Sequence, residues 1–335
     1  MSTFHGYAAP AAGKSLEPYS FEPRPLGAGD VEIAISHCGL CHSDLHLVND
    51  DWKMSKYPLV PGHEIVGTVA QVGSAVNGLA PGQRVGVGWQ SGSCGTCEWC
   101  ERGEENLCAA SQATCMPGPG GFADRIRVSA RFAIPVPEAL SSRDAAPLLC
   151  GGITVYTPLR EAGIGAHSRV GIIGVGGLGH LALQFARVMG AEVTAFSTSP
   201  DKEAEARAMG AHRFVATRER SALKAVRGSF DFILSTVAAD LPWLDYVAAL
   251  RPRGTLCFVG VPPSAVALPA FALISQNKKL AGSNTGSPAL IREMLEVAAR
   301  NNVHARTEAF PLAHVNAAIG RVARNQVRYR AVLEM

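Results

Sequence analysis

The sequence predicts an α/β protein in two parts, a small β-barrel with long loops and then a doubly wound parallel sheet. Three observations carry this expectation. Near Ser142 the texture changes from short β-branched runs separated by turns to strands alternating with helices. A glycine-rich turn, Gly174-Val175-Gly176-Gly177-Leu178-Gly179, sits between an apolar strand and an amphipathic helix, and four cysteines crowd one loop. The 335 residues, 47% hydrophobic and 18% charged, suffice for two cores. A formal charge of +3, with no block of basic residues, excludes a nucleic-acid footprint. The longest apolar stretch, Val170 to Ala186, holds five glycines, His180 and Gln184, so no membrane helix is expected. The amino-terminal segment lacks an apolar run, so no signal peptide is expected and the chain reads as cytoplasmic.

In the first half, short runs at Val31 to Ile35, Ile65 to Val72, Arg84 to Val87 and Arg125 to Val128 are punctuated by Gly, Pro, Asn and Asp, as barrel strands would be. A helical pattern at Asp144 to Leu149 follows. Then come strand Arg169 to Ile173, helix Leu178 to Met189, strand Glu192 to Phe196, helix Lys202 to Met209 and strand Phe214 to Ala216. Strand Phe230 to Ser235, helix Leu241 to Leu250 and strand Thr255 to Val259 complete the alternation that marks a parallel sheet. Beyond Gly282 two helices, Pro288 to Asn301 and Leu312 to Arg324, precede a last strand, Arg330 to Leu333, free to return to the first part. The most basic segment, Arg321 to Arg330, reads as a solvated or anion-facing edge.

Cys94, Cys97, Cys100 and Cys108 stand in the pattern C-x2-C-x2-C-x7-C among turn-forming Gly and Ser. Four thiolates so close in sequence can converge on one tetrahedral zinc, and with four sulfur ligands no position remains for water or substrate. Two disulfides or four unrelated thiols are the competing readings. Five further cysteines and the lack of an export signal favour a reducing compartment and hence the metal.

The strand Val170 to Ile173 running into the glycine turn and then a helix is the setting a dinucleotide fingerprint requires. Gly174 permits the tight turn, Gly176 the approach of a pyrophosphate and Gly179 close packing of helix on strand. At the end of the second strand an acid would bond the adenosine ribose hydroxyl of NAD. Here Ser197, Thr198 and Ser199 stand instead, with Lys202 beyond, a set of hydroxyls and a cation suited to the 2′-phosphate of NADP(H). The competing reading is an ordinary Ser/Thr cap for the helix beginning near Pro200, and one residue can serve both purposes.

Cys41, His63 and Cys150 are scattered. Two thiolates and an imidazole would hold zinc with its fourth position open, the arrangement of a catalytic metal. Taken singly, Cys150 before a glycine pair also reads as a core thiol, and His63 as a side chain that satisfies a turn.

The segments CGLCHSDLH, GHEIVG, the four-cysteine loop, PLLCGGITVYTPL, IIGVGGLGH and VRYRAVL resemble, in order, the zinc-containing medium-chain alcohol dehydrogenases. Within them the chain is most similar to the cinnamyl-alcohol-dehydrogenase branch and to bacterial NADPH-dependent aldehyde reductases. The resemblance implies a GroES-like catalytic domain at 1–150 with its zinc lobe at 94–108. It implies a Rossmann NADP-binding domain at 151–285, and a return to the catalytic domain at 286–335. It implies two zinc ions per chain: a catalytic one on Cys41, His63 and Cys150, with Glu64 nearby as an exchangeable ligand, and a structural one on the four-cysteine loop. Asp44 would orient His63, Ser43 would contact the substrate oxygen, and His46 would end a proton relay; the competing readings of Ser43 and His46 are a helix cap and a surface histidine. His42 and Arg330 would meet the pyrophosphate and Thr154 the nicotinamide, with Gly177, Leu178, Thr236, Gly260, Ser283 and Asn284 among the cofactor contacts.

The implied activity is reversible reduction of aldehydes to primary alcohols by hydride from NADPH. The motif alignment places Trp52, Met54, Trp89 and Asn284 at the substrate pocket. Two indoles and a polar amide point to small or medium aliphatic and simple aromatic aldehydes. The indoles read equally as aromatics packing barrel loops. A cinnamyl-alcohol-type dehydrogenase is the alternative substrate reading, and a nucleotide-bound redox sensor without catalysis the alternative class. Zinc-free enone reductases lack the ligand trio, and sugar-alcohol dehydrogenases more often carry an acid after the second strand. The family also implies a homodimer joined through edge strands, here near Thr255 to Pro262 and Leu268 to Leu273. Of the remaining thiols, Cys257 reads as a packed strand residue and Cys115, in a Gly/Pro loop, as an exposed one.

Overall fold

The computed structural model describes residues 3–116, 118–219 and 221–335. The chain divides into two compact units, Met1–Ile153 with Thr285–Met335, and Thr154–Asn284.

The first unit is organised by the long strand Asp30–Leu40. One side of it pairs antiparallel with Glu64–Val72. The other changes partner midway: Asp30 to Ala34 face Arg125–Ser129, and His37 to Leu40 face the final strand, Arg330–Glu334. Register shifts at Glu32/Ile33 and Ile35/His37 mark bulges, the device by which a sheet curls into a barrel. The sheet continues through Arg84–Val87 to Ile134–Pro135 on one side and through Arg330–Glu334 to Thr307–Pro311 on the other. Alternation sets the faces. Ile126 and Val128 enter a core with Val31, Ile33, Ile65 and Val85. Arg125 and Arg127 point away and meet the buried carboxylate of Glu32 on the neighbouring strand, each at 2.7 Å.

The second unit is a six-stranded sheet, all parallel, in the spatial order Arg213–Ala216, Glu192–Ser197, Arg169–Ile173, Phe230–Ser235, Leu250–Phe258, Lys279–Gly282. Numbered along the chain this is 3-2-1-4-5-6, the doubly wound order, with the switch point beside Arg169–Ile173. Strands covered on both faces are largely apolar: Val170, Ile172, Val193, Ala195, Phe196, Ile233 and Leu234 are fully buried. Phe196 anchors an aromatic cluster, edge-on to Phe230 and Tyr246 with ring centroids 5.3 and 5.6 Å apart.

Helices follow their sequence signals. Ser287 caps Pro288–Asn301, its hydroxyl accepting from the Leu290 N–H, with Pro288 at the first position and Asn302 left-handed at the end. Its buried residues Ile291, Met294, Leu295 and Ala298 recur at helical spacing.

Several expectations need correction. Leu268 to Leu273 is not a strand: Pro269 fixes a turn whose carbonyl accepts from Ala272, and a short helix, Phe271–Ile274, follows. The edge strand is Lys279–Gly282, and the strand before it stops at Phe258, ahead of Pro262 and Pro263. The helix foreseen at Asp144 to Leu149 is Ser142–Pro147, capped by Ser141, and then a π-helical turn, Leu148–Gly152. Arg321 to Arg330 is not uniformly solvated, because Arg330 is 5% exposed. Sequence periodicity also missed the hairpin of Phe4–Ala8 with Glu17–Phe21 and the helix His42–Asn49, both short.

The glycine turn shows why small residues stand there. Gly174 has φ +92°, and a Cβ on Gly179 would lie 1.8 Å from the Gly174 carbonyl oxygen. A Cβ on Gly176 would meet nothing within 4 Å. Gly179→Ala should therefore lower the urea midpoint of unfolding clearly, whereas Gly176→Ala should leave it at the wild-type value; denaturation of the two variants side by side checks this.

Candidate functional site

Helix His42–Asn49 begins at Cys41, and Asp44 sits in its first turn with no exposed surface. One Asp44 oxygen accepts from the Cys41 N–H at 2.8 Å. The other accepts from the Gly62 N–H and faces His63 Nδ1, both at 3.0 Å. A carboxylate only accepts, so Nδ1 carries a proton whatever the charge of the ring, and Nε2 is the nitrogen left to give its lone pair to a metal in place of a proton. Nε2 lies 3.3 Å from Cys150 Sγ. Burial disfavours the His63 cation, but Asp44 and Cys150 favour it more, and the imidazole stands well above its ordinary pKa. Cys150 reaches this point from the π-helical turn, which widens the helix where the thiol points. A ligand atom from each of Cys41, His63, Glu64 and Cys150 lies within 4.8 Å of the others.

The two thiols titrate as a pair, the first proton lost easily and the second held between them. The hydrogen bond between them lowers Cys41 well below the usual thiol range and raises Cys150. Glu64 follows His63 and is fully buried. Burial pushes its carboxyl up, to about 7, against the opposing pull of Arg330. Arg330 pairs with Glu64, a partner the sequence did not indicate. Burial works against the Arg330 charge and the Glu64 carboxylate outweighs it. Glu64 Oε2 has no hydrogen-bond partner among the described residues, an orphaned acceptor beside three potential ligands.

Zinc bonds of about 2.3 Å to sulfur and 2.0 Å to nitrogen, at tetrahedral angles, set nitrogen and sulfur about 3.5 Å apart and two sulfurs about 3.8 Å apart. The 3.3 Å between His63 and Cys150 fits. So do the 3.9 Å between Cys94 and Cys100 and the 3.6 Å between Cys94 and Cys108. All four sulfurs of that loop cluster within 4.8 Å, and all nine cysteines are free thiols. N–H groups of Thr96 and Cys97 hold Cys94 down to about 6. The Ser93 hydroxyl lowers Cys100. The Cys100 N–H draws Cys97 down, yet burial and its sulfur neighbours carry it up to about 11. A dication would relieve that competition for protons.

Ser43 and His46 share the first helix, three residues apart and so on one face. Ser43 Oγ lies 3.7 Å from Cys41 Sγ. His46 Nδ1 faces Asp51 at 2.7 Å, with both side chains about half exposed. The His46 ring also rests on Trp52, centroids 5.2 Å apart. His42 is exposed.

In the second unit Ser197 is buried and its hydroxyl accepts from the Ser199 N–H at 3.1 Å; Thr198 is exposed. Lys202 Nζ donates to the Val175 carbonyl at 2.8 Å, joining the second strand's end to the glycine turn. Gly177 and Leu178 lead into helix Gly179–Val188. Thr236 donates to the Ile173 carbonyl at 2.8 Å, so its hydroxyl serves the turn. A Cβ on Gly260 would lie 2.4 Å from the Val237 carbonyl oxygen. Ser283 donates to the Asn284 carbonyl at 3.2 Å, Asn284 is exposed, and Thr154 is half-buried.

A cleft of about 600 Å³ opens in the first unit, lined by Tyr19, Phe21, Met54, Trp89, Cys115 and Met116 among others. Of the expected pocket residues, Met54 and Trp89 line it. Trp52 stands behind, edge-on to Trp89 at 6.2 Å, and Asn284 belongs to the other unit. Sequence reasoning missed Tyr19, Phe21 and Met116, which carry no motif. Cys115 was expected to be exposed. It is buried, 2% exposed, and donates to the Gly62 carbonyl at 3.3 Å, because its Gly/Pro loop folds inward against Leu47 and Leu59.

Residues 27–138 match the alcohol dehydrogenase GroES-like domain and residues 177–300 the zinc-binding dehydrogenase family. The chain is 42% identical to aldehyde reductase AdhA of Synechocystis sp. over 98% of this chain and 97% of that one. A cinnamyl alcohol dehydrogenase from Sorghum bicolor superposes with a TM-score of 0.95 at 41% identity, covering 99% of this chain and 98% of that one. CAD from Helicobacter pylori, solved with NADP(H), superposes with a TM-score of 0.92 at 32% identity over 99% and 98%. With both signatures present and the similarity running through nearly its whole length, the chain belongs to the zinc-dependent medium-chain alcohol dehydrogenases, oxidoreductases of alcohols and aldehydes.

Proposed function

We propose that the protein reduces small and medium aliphatic and simple aromatic aldehydes to primary alcohols with NADPH, using a zinc held by Cys41, His63 and Cys150. The convergence of those three side chains with Glu64 carries the reading. When bound, zinc supplies Lewis acidity toward a carbonyl oxygen and the nicotinamide supplies hydride. Asp44 fixes the His63 tautomer and the start of the helix that bears Ser43 and His46. Ser43, beside the Cys41 sulfur, is placed to give a proton to a nascent alkoxide. His46, paired with Asp51 and partly exposed, is the solvent-side end from which that proton is replaced. Cys94, Cys97, Cys100 and Cys108 hold a second, closed zinc.

Ser197, Thr198 and Ser199 at the second strand's end, where the first acid, Asp201, comes only four residues after the strand and beside Lys202, support NADP(H) over NAD(H). The NADP(H) complex of the Helicobacter pylori relative supports the same choice. The sorghum relative keeps cinnamyl alcohols as the second reading. We assign Met54 and Trp89 to the aldehyde cleft and a homodimer to the second unit's edge. Val261, Phe271 and Ile274, 77%, 74% and 68% exposed, lie in the connection that leads into the edge strand and support a second copy there. No helix among the described residues is long and apolar enough to cross a membrane.

Purified protein should carry two zincs and oxidise NADPH in preference to NADH with butanal, hexanal and benzaldehyde; a clear preference for cinnamaldehyde would select the second reading. Cys41→Ser and Cys150→Ser should stay folded with one zinc and lose turnover by about a thousandfold or more. Cys97→Ser should instead lower the thermal midpoint, with metal analysis and calorimetry separating the classes. Lys202→Ala should cut the NADPH over NADH ratio in kcat/KM by about tenfold, the worth of one charge-assisted hydrogen bond. Gly176→Ala, structurally tolerated, should raise the NADPH Kd in a fluorescence titration.

A further inference from the structure

We propose that the four-cysteine lobe sets the width of the aldehyde cleft, with Thr114 and Gln90 as the positioning residues that transmit it. The inference rests on the aldehyde-reductase reading and deepens it. The lobe is the connection of a two-stranded ribbon, Gln90–Gly92 paired with Gln112–Ala113 in the register Gln90 opposite Ala113. Cys94 follows the first strand and Cys108 precedes the second. Two strands of two or three residues do not hold together unaided. Whatever gathers the four sulfurs therefore clamps the ribbon's closed end, since cross-linking a loop removes its freedom to open.

The ribbon's other end builds the cleft wall. Trp89 precedes the first strand, with its indole edge-on to the His63 ring, centroids 4.9 Å apart and planes at 85°. Trp89 lines the cleft with Cys115 and Met116, which follow the second strand. Thr114, 4% exposed and absent from the cleft lining, fastens these segments together. Its hydroxyl contacts the Gly88 carbonyl at 2.5 Å and the Trp89 carbonyl at 3.1 Å, and its N–H donates to the Trp89 carbonyl at 2.8 Å. Gln90, 7% exposed, sends Nε2 into the lobe, donating to the Glu105 carbonyl at 2.6 Å and the Gly92 carbonyl at 3.2 Å. Arg131 anchors the same place, its Nε donating to the Glu105 carboxylate at 2.6 Å and its Nη2 to the Cys100 carbonyl at 3.0 Å. Hydrogen bonds from the partly exposed Arg131 and the buried Gln90 and Thr114, joined by the backbone between Trp89 and Gln90, thus connect the Cys100 carbonyl to the main chain of the tryptophan beside His63.

The test compares Thr114→Val, which keeps shape and loses the hydroxyl, with Thr114→Ser, which keeps it. Thr114→Val should change the ratio of kcat/KM for butanal over benzaldehyde by about fivefold, through KM, while kcat for butanal stays within about twofold and both zincs remain. Thr114→Ser should keep the wild-type ratio. Gln90→Met should shift the ratio in the same sense, and covers the case in which Thr114→Val does not fold. Independently of turnover, iodoacetamide should alkylate Cys115 faster in Thr114→Val and Gln90→Met, as read by peptide mass spectrometry, because Trp89, at the ribbon's open end, packs against the cluster that Cys115 forms with Leu47 and Leu59. An unmoved ratio with unmoved Cys115 labelling, or equal shifts in Thr114→Val and Thr114→Ser, overturns the inference. Wild-type protein that fails to reduce butanal with NADPH overturns the functional reading itself, so the two failures are distinct.

Discussion

The Asp44 carboxylate is shared by three parts of the barrel: the backbone that starts the first helix, the backbone of Gly62, and the ring of His63. Each acceptance removes a buried donor that water cannot reach, and the group itself has no exposed surface. The chemistry depends on this arrangement because it decides which imidazole nitrogen is free. With the proton on Nδ1, Nε2 faces the Cys150 sulfur and the helix start presents Cys41 to the same point. A side chain at 44 with no acceptor, such as alanine, would leave two N–H groups and a ring without partners, which costs more than the loss of one bond.

Around that carboxylate the barrel solves a connectivity problem. Strand Asp30–Leu40 pairs at one end with Arg125–Ser129 and at the other with the last strand, so residues from the start and finish of the chain close one sheet. This closure brings Arg330 against Glu64 across 266 positions of sequence. The pair is buried and partly unsatisfied, with Glu64 Oε2 and Arg330 Nε lacking partners among the described residues. A buried pair of that kind contributes little to stability, and its place beside the ligand cluster is the reason to regard Glu64 as part of the site.

The second unit follows rules that operate locally. A right-handed strand-helix-strand alternation yields the 3-2-1-4-5-6 order, and its glycine turn falls at the switch point because the first strand lies there. Steric facts at single positions fix the turn, since the Gly174 carbonyl leaves no room for a Cβ on Gly179. The cation that joins it, Lys202, is close in the fold because the second strand is the neighbour of the first.

The alternation of strands and helices in the second unit, the dinucleotide turn and the four-cysteine loop were legible in the sequence, because each is made by neighbours along the chain: a period of two or 3.6, a glycine spacing, a cluster of thiols. Cys41, His63 and Cys150 were legible only through motifs, since nothing local marks a cysteine at position 150 as a partner of a histidine at 63. The tertiary structure alone decided the rest. It buried Cys115 by folding a Gly/Pro loop inward, turned Leu268 to Leu273 from strand to turn and helix at Pro269, and gave Arg330 to Glu64. It also made Tyr19 and Met116 walls of one cleft. Burial and ion pairing are set by which distant segments meet, and that depends on closure of the barrel as a whole, which no window of sequence contains.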